Sequence, residues 1–441
     1  MSTHPSRKRN VFDVLDSVSD HPTRAANVLI RVDFNVPMSF DGDKGTITDD
    51  SRIRAALPTI KAVIEAKCNA ILVSHMGRPK LVQTGKDDEE TDDEETAKQK
   101  HQLSLRPAAE RLSELLGKTV GFGEDCIGDK AKAAVGELPK KGGGVILLEN
   151  LRFYKAEEKN EEDFAKSLAS LADAYVNDAF GTSHRAHASV AGVPALMSEE
   201  VCGLGCLVSS ELAYLDFSNM KEGETVTAII GGSKVSTKLP VIKGLLNQVD
   251  SLILGGGLAF TFIKAKGIPV GNSLVEDSMV DTAKEILEYA NEHGKTIVLP
   301  VDAVCGTSFP SGPVDKKDTK TFDLDSSGGV EDGWSGFDIG PKSVELICNA
   351  LKSASKVVFN GPMGVFEIPP YDEGTRGLVD GLEEITKNGT ITVVGGGDSV
   401  AALEQFGKTD VVSYVSTGGG ATLELLAGDE LPGVTAIADF D

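Results

Sequence analysis

Arginines, histidines and amides in the first half of this chain stand directly after short aliphatic runs. Arg31-Val32-Asp33-Phe34-Asn35 precedes Pro37, and Ser74-His75-Met76-Gly77-Arg78-Pro79 follows a second run. Glu149-Asn150-Leu151-Arg152-Phe153 follows a third, and a fourth leads into Gly181-Thr182-Ser183-His184-Arg185-Ala186-His187. Arg52 joins them from the start of a helical pattern. Taken singly, Asp33 and Asn35 are ordinary turn formers and a loop arginine is ordinarily solvated. Their recurrence is what carries meaning. The planar guanidinium fork matches carboxylate and phosphate, so the set points to a small, multiply anionic substrate. His184 and His187 as a metal pair lack a third ligand and are the weaker reading.

The second half carries a different set. Gly231-Gly232, Gly255-Gly256-Gly257, Gly395-Gly396-Gly397 and Gly418-Gly419-Gly420 each end a β-branched or aliphatic run. Such turns between a buried strand and a helix aim peptide N–H groups at phosphate and let a ligand approach the backbone. After the first of them, Lys234 and Lys238 are predicted on one face of a helix's first turns. Cations there oppose the helix dipole by ~0.3–1 kcal/mol each, which a bound anion offsets. Asn360-Gly361-Pro362 begins a rigid turn that ends in Glu367. Asp398, before Ser399, either caps a helix starting near Val400 or holds Mg²⁺, a cation usually bound by one or two carboxylates plus substrate phosphates.

Absent motifs narrow the chemistry. There is no GxxxxGK[ST], no GxGxxG after a strand and no HRD-type base. A missing base is informative if the acceptor is itself a carboxylate, already ionised at neutral pH.

The elements that must position these residues alternate throughout. Aliphatic strands are predicted at 28–32, 70–74, 145–148 and 174–176, then at 226–230, 251–254, 296–299, 356–359, 390–394 and 411–415. Helical patterns lie between them, including 53–66, 108–116, 164–172, 279–291 and 342–352. Strands apolar on both faces and separated by helices indicate parallel sheets covered on both sides. The expectation is α/β: two Rossmann-like doubly wound domains, with ligands outside the carboxyl ends of the strands. At 441 residues two domains are also the prior from length. A helix over Val201–Phe217 is expected to connect them, followed by a linker at Lys221–Glu224. Ser311–Gly333 reads as a surface excursion, and the acidic run Asp87–Glu95 as a disordered loop.

Composition excludes other classes. A formal net charge of −23 argues against general binding to nucleic acid or anionic membrane. The six cysteines are scattered, which suits reduced thiols in a cytosol-like compartment. No stretch is long and apolar enough to span a bilayer, and Arg7–Arg9 lack the apolar run of a secretory signal. A cytoplasmic protein is expected, with a trimmed organellar form left open.

At these loops the chain resembles phosphoglycerate kinase along nearly its whole length. The resemblance implies reversible, Mg²⁺-dependent phosphoryl transfer between ATP and the carboxylate of 3-phosphoglycerate, giving ADP and 1,3-bisphosphoglycerate. It implies that residues 1–206 bind phosphoglycerate, with an acidic insertion at about 80–101. A helix and linker at 207–220, a nucleotide domain at 221–424 and a segment at 425–441 returning to the first domain would follow. By the same resemblance, Asp33, Phe34, Asn35, Arg52, His75, Met76, Gly77, Arg78, Arg152 and Arg185 bind the phosphoglycerate. Gly232, Lys238, Gly255, Gly256, Gly257, Gly336, Phe337, Asn360, Pro362, Glu367, Gly396, Gly397, Asp398 and Ser399 bind the nucleotide, Asp398 holding the metal. Arg52, Lys234 and Lys238 are assigned to the phosphoryl group in flight. A hinge closes before in-line transfer, and a monomer is expected, with no nucleic acid or membrane partner.

Departures from the family pattern are few. Ser399 stands where threonine is common, and Ser183 and Met76 are mild changes. The insertion between Pro79 and His101 is read as a solvated loop without a catalytic role; tuning of anion binding or docking of a basic partner is the lesser reading. The competing functions are a nicotinamide dehydrogenase, which leaves the lysine pair unexplained, and a non-catalytic interaction protein, which has no use for Arg52, Arg78, Lys238 and Asp398 together.

Overall fold

The computed structural model describes residues 7–18, 24–42, 44–80, 94–217, 220–326 and 328–440. They form two compact units, one running to Ala213 and resuming at Glu430, the other Tyr214–Asp429. The helix Cys206–Leu215 spans the division.

The first unit is built on a six-stranded parallel sheet. Its strands are β1 (Asn27–Val32), β2 (Asn69–Val73), β3 (Gly121–Gly123), β4 (Val145–Leu148), β5 (Ala174–Asp178) and β6 (Cys202–Leu204), in the order β3-β4-β2-β1-β5-β6. The strands β2, β4 and β5 are buried at every position, which explains the apolar runs 70–73 and 145–148, while β5 ends in the buried polar pair Asn177 and Asp178. Val11, Val14, Ile53, Ile60, Leu112 and Val28 share one core under the sheet. The helix Arg106–Leu116 starts with proline in its first turn and stops at Gly117 in the left-handed conformation, the usual asymmetry of helix ends.

The second unit repeats the plan. Its strands are β7 (Val226–Ile230), β8 (Ser251–Leu254), β9 (Thr296–Val298), β10 (Lys356–Asn360), β11 (Ile391–Gly395) and β12 (Tyr414–Val415), in the order β9-β8-β7-β10-β11-β12, all parallel. The order reverses between β7 and β10, so the crevice at their carboxyl ends is the place for a ligand. Ile229, Ile253, Phe359, Ile347, Leu378 and Leu382 form the core on one side. Among the described residues no helix is long and apolar enough to cross a membrane.

Several sequence expectations are corrected. Val201–Phe217 is not one helix, because Cys202–Leu204 is fully buried and pairs with β5 as an edge strand before the helix begins at Cys206. The 311–333 region is not merely a surface excursion. Lys320–Asp323 pairs antiparallel with Asp302–Gly306, which also pairs with Ser335–Ile339, and Phe322, Leu324 and Val330 are buried beneath. Within the insertion, Glu94–Gln102 is a helix with acidic residues in its first turn and Lys100 and His101 in its last, the charge order that suits a helix dipole. The rest of the acidic run, up to Asp93, lies outside the described residues.

Candidate active site

In the first unit the anion-binding candidates converge at the carboxyl ends of β1, β2 and β5. Arg31, the penultimate residue of β1, is fully buried. Its Nε donates to Ser189 Oγ at 2.9 Å, its Nη1 to the Val32 carbonyl, and its Nη2 lies 3.2 Å from His75 Nδ1. Asp33 pairs with Arg52, 2.9 Å from Nη1 to Oδ2. The loops are tied to one another: the Phe34 amide donates to Ser74 Oγ at 2.8 Å, and the Gly77 amide to Asn35 Oδ1 at 2.8 Å. Asn150, buried at the end of β4, accepts from the Met76 amide and donates to the Met76 carbonyl, so Met76 serves through its backbone.

Cations crowd this pocket. Arg152 is buried, its Nη1 donating to the Gly77 carbonyl at 2.8 Å, with Glu158 3.6 Å from Nε. Burial first, and neighbouring Arg31 and Arg185 with it, bring Arg152 down to about 10. Burial also holds His75 well below the ordinary histidine range, helped by Arg31, Arg152 and Arg52. His187 falls to about 4 from burial, Arg152 and Arg31. Both imidazoles are therefore neutral at pH 7. Two buried nitrogens, Arg152 Nε and His187 Nδ1, have no hydrogen-bond partner. Arg152 Nε is a donor in every state of the guanidinium, and a buried donor without an acceptor is costly and marks a place where an anion fits.

Arg78 is exposed at the pocket's loop, and Arg185 is half-buried with its Nε 3.2 Å from His184 Nε2. The histidine pair is not a metal centre: His187 faces Glu157 across 3.9 Å, and no group of three His, Cys, Asp or Glu among the described residues is arranged for a metal. Arg31 and His187 stand in the loops already read from the sequence; Glu157 and Ser189 are the members of this cluster that sequence reasoning missed. Arg31 was visible as the first letter of its loop, but a strand-interior arginine gives no pattern until its buried partners are known.

In the second unit the strand register sets the glycine turns side by side. Ile230 aligns with Leu254 and with Asn360, and Asn360 with Gly395, so the loops that follow share one edge. They then interlock through backbone. The Gly231 amide donates to the Asn360 carbonyl at 2.9 Å, Gly256 to Met363 at 3.1 Å, and Leu258 to Gly232 at 2.9 Å. Gly361 has φ +96° and packs on the Gly231 backbone so closely that a Cβ has no room. Glycine is required there on both counts.

Lys238, half-buried in the first turn of the helix Val235–Gln248, donates to Asn360 Oδ1 at 2.7 Å. Burial lowers its pKa, and Asp398 opposes that. The buried Asn360 keeps a second nitrogen, Nδ2, with no partner. The helix Gly397–Phe406 begins after Gly396 (φ +90°) and has no side-chain cap, so its first-turn amides are available to an anion. Asp398 lies in that first turn and is exposed, which sets aside its reading as a cap. Ser399 is buried, its Oγ accepting from the Gly361 amide at 2.6 Å, so it braces two loops.

Lys234 differs from expectation. It is the extended residue before the helix, exposed, and does not share a helical face with Lys238. The helix N-terminus it adjoins is already claimed: Glu276 accepts from the Ser236 amide at 2.9 Å and from Ser236 Oγ at 2.5 Å. The partner comes from 40 residues away and leaves no local signal.

Around the adenosine candidates, Gly336 lies against Phe260, where a Cβ would overlap the ring. Phe337 meets Tyr371 edge-on at 5.2 Å, and its carbonyl accepts from Val365 at 2.8 Å, joining it to the turn that carries Pro362 and the exposed Glu367. Phe309, 72% exposed, meets Phe337 edge-on at 5.6 Å and borders a recess of about 360 Å³. Sequence reasoning missed it; an aromatic among Gly, Ser and Pro was the available signal.

The chain matches the family model described as phosphoglycerate kinase over residues 18–429. It is 49% identical over 412 residues to "Phosphoglycerate kinase" of Rippkaea orientalis, covering 93% of this chain and 95% of that one. It is 47% identical over 414 residues to "Phosphoglycerate kinase 1, chloroplastic" of Arabidopsis thaliana, covering 94% and 80%. Among solved structures it resembles the phosphoglycerate kinase of Coxiella burnetii, with TM-score 0.79 and 38% identity over 95% of this chain and 97% of that one.

Proposed function

This chain belongs to the phosphoglycerate kinase family, and on that premise we propose which of its residues perform the reaction. It is a phosphotransferase that uses ATP or ADP with a carboxylate acceptor, 3-phosphoglycerate. The first unit is the phosphoglycerate side. Arg52, Arg78, Arg152 and Arg185 supply charge, His75, Asp33 and Asn35 supply hydrogen bonds, and Phe34, Met76 and Gly77 shape the loops. The second unit is the nucleotide side. Gly232, Gly255–Gly257, Gly336, Phe337, Pro362 and Glu367 line the nucleoside, while Lys238, Asn360, Gly396 and Gly397 take the phosphates. The single observation that carries this division is the pair of incomplete sites, each holding cations and buried unpartnered donors.

Mg²⁺ fits the second site. One exposed carboxylate, Asp398, beside an uncapped helix N-terminus suits a hard cation whose remaining ligands are phosphate oxygens and water. The bound ion would draw charge from the transferring phosphoryl group. The chain's own residues do the rest: Lys238 from the nucleotide side and Arg52 from the phosphoglycerate side supply cations to that group in flight. No general base is needed, because the attacking oxygen is already an ionised carboxylate. In-line transfer needs both substrates in contact, so the reading includes closure about the helix Cys206–Leu215. Lys234, exposed and outside the helix, is assigned at most an electrostatic part.

We further assign the enzyme to a reducing compartment, cytoplasm or organelle, and to a monomeric state. Six free cysteines and cyanobacterial and chloroplastic relatives support the compartment. The test is a coupled assay for ADP formation with 3-phosphoglycerate, run with and without Mg²⁺. Turnover that needs all three components is expected; hydrolysis of ATP independent of 3-phosphoglycerate refutes the assignment.

A further inference from the structure

A carboxylate that no assigned role uses lies behind the phosphoglycerate pocket. Glu157 is fully buried and receives two hydrogen bonds from one residue: the Ser189 amide at 2.9 Å to Oε2 and the Ser189 hydroxyl at 2.5 Å to Oε1. With its hydrogen committed to Glu157, Ser189 Oγ offers a lone pair, and Arg31 Nε donates to it at 2.9 Å. The guanidinium is planar and held also at the Val32 carbonyl, so the direction of Nη2 is fixed, and it meets His75 Nδ1 at 3.2 Å. Ser189 is itself held in place. It sits in the π-helical turn Ala188–Gly192, a form common at functional sites, and Tyr175 Oη donates to its carbonyl at 2.8 Å.

An arginine can only donate. His75 Nδ1 must therefore accept, and a neutral ring then carries its proton on Nε2. The opposite tautomer has no support, since Asp33 Oδ1 is 3.9 Å from Nδ1, beyond hydrogen-bond reach. Nε2 takes no partner among the described residues. We propose that Glu157 and Ser189 are positioning residues that, through Arg31, fix His75 as the Nε2–H tautomer and so present a neutral donor to the phosphoglycerate anion. The proposal rests on the reading of His75 as a phosphoglycerate ligand. The surrounding cations act in the same direction, because they disfavour the imidazolium that would place protons on both nitrogens. A neutral donor adds a directed hydrogen bond without adding a further charge to a pocket already crowded with guanidinium groups.

The deciding measurement is a long-range ¹H–¹⁵N correlation spectrum of the histidines at pH 7.5, with His75 assigned through His75→Gln. The wild type should show an unprotonated Nδ1 and a protonated Nε2. Ser189→Ala should mix the tautomers and raise the KM for 3-phosphoglycerate about tenfold, the scale of one lost directed hydrogen bond, with kcat little changed. Glu157→Gln should move both readouts the same way by less, and Ser189→Thr should restore them. A wild-type Nδ1–H tautomer overturns the relay without recourse to any variant, as does Ser189→Ala with the pure Nε2–H form intact. An Nε2 resonance unmoved by saturating 3-phosphoglycerate overturns instead the reading of His75 as a ligand, so the two failures are distinguishable.

Discussion

Replacing Lys238 by alanine separates chemistry from folding on the nucleotide side. The ammonium is half-buried and donates to Asn360 Oδ1 at 2.7 Å, while Asn360 Nδ2 already lacks a partner. Removing a hydrogen bond to a charged group costs about 1.5–3 kcal/mol. Burial disfavours the lysine's charge, as its lowered pKa shows, so part of that cost is returned when the charge goes. The net effect on stability should therefore be small, a Tm change of a few degrees at most. Catalysis has no such compensation. If the ammonium meets charge developing on the phosphoryl group, its loss should lower kcat by about 10³-fold or more, the range of transition-state cations. That corresponds to ~4 kcal/mol of barrier. The assay is coupled ADP formation with saturating 3-phosphoglycerate, with calorimetric titration of 3-phosphoglycerate alongside. Phosphoglycerate binding should persist unchanged, because its proposed ligands lie in the other unit. A kcat reduced less than about tenfold refutes the role of Lys238, and lost phosphoglycerate affinity refutes the division between units.

The remaining predictions concern pH and the interlocked loops. His187 titrates near 4 when folded and near its ordinary 6.5 when unfolded, so between those values the unfolded chain binds more protons and stability falls as pH drops from 6.5 to 4. At about 1.4 kcal/mol per pKa unit the loss is a few kcal/mol at most. Asp178, raised to about 7 by burial, acts in the opposite sense as pH rises from 3.8 to 7. Wild type and His187→Gln should therefore be compared by urea denaturation at pH 7.5 and again at pH 4.5; a variant that loses as much stability as wild type on acidification contradicts the account. Ser399→Ala should cost about 1–3 kcal/mol by leaving the buried Gly361 amide unpaired, whereas Ser399→Thr should be nearly neutral. Thermal melts of both decide it, equal Tm values being the adverse result.

The strands were legible because burial on both faces writes itself as an uninterrupted apolar run, and β4, β7 and β8 match their expected limits. The edge strands β3 and β6 were not, being three residues each and rich in glycine or cysteine. Glycine turns were legible for a related reason: only a few residue types tolerate such backbone. What the sequence could not show was pairing over distance. Glu276 reaches the helix beside Lys234 from far along the chain, and nothing near either residue announces it. Likewise Glu157 and Ser189 each look like structural residues until the hydrogen bonds connect them to Arg31.

The same distinction explains why the two half-sites are incomplete in themselves. A chain of net charge −23 has little reason to gather Arg31, Arg52, Arg152 and Arg185 about one pocket, since like charges so placed repel and burial adds to the cost. Nor does a packed protein ordinarily leave the donors Arg152 Nε and Asn360 Nδ2 buried without acceptors. Both costs are removed by the same agent, an anion carrying several oxygens. The pocket that holds two neutral imidazoles among guanidinium groups can accept such an anion without any protonation step, because its charge is supplied by arginines that stay protonated at neutral pH, Arg152 at about 10 included. Local sequence patterns therefore mark the elements around each half-site, while its unmet electrostatic demands mark the ligand.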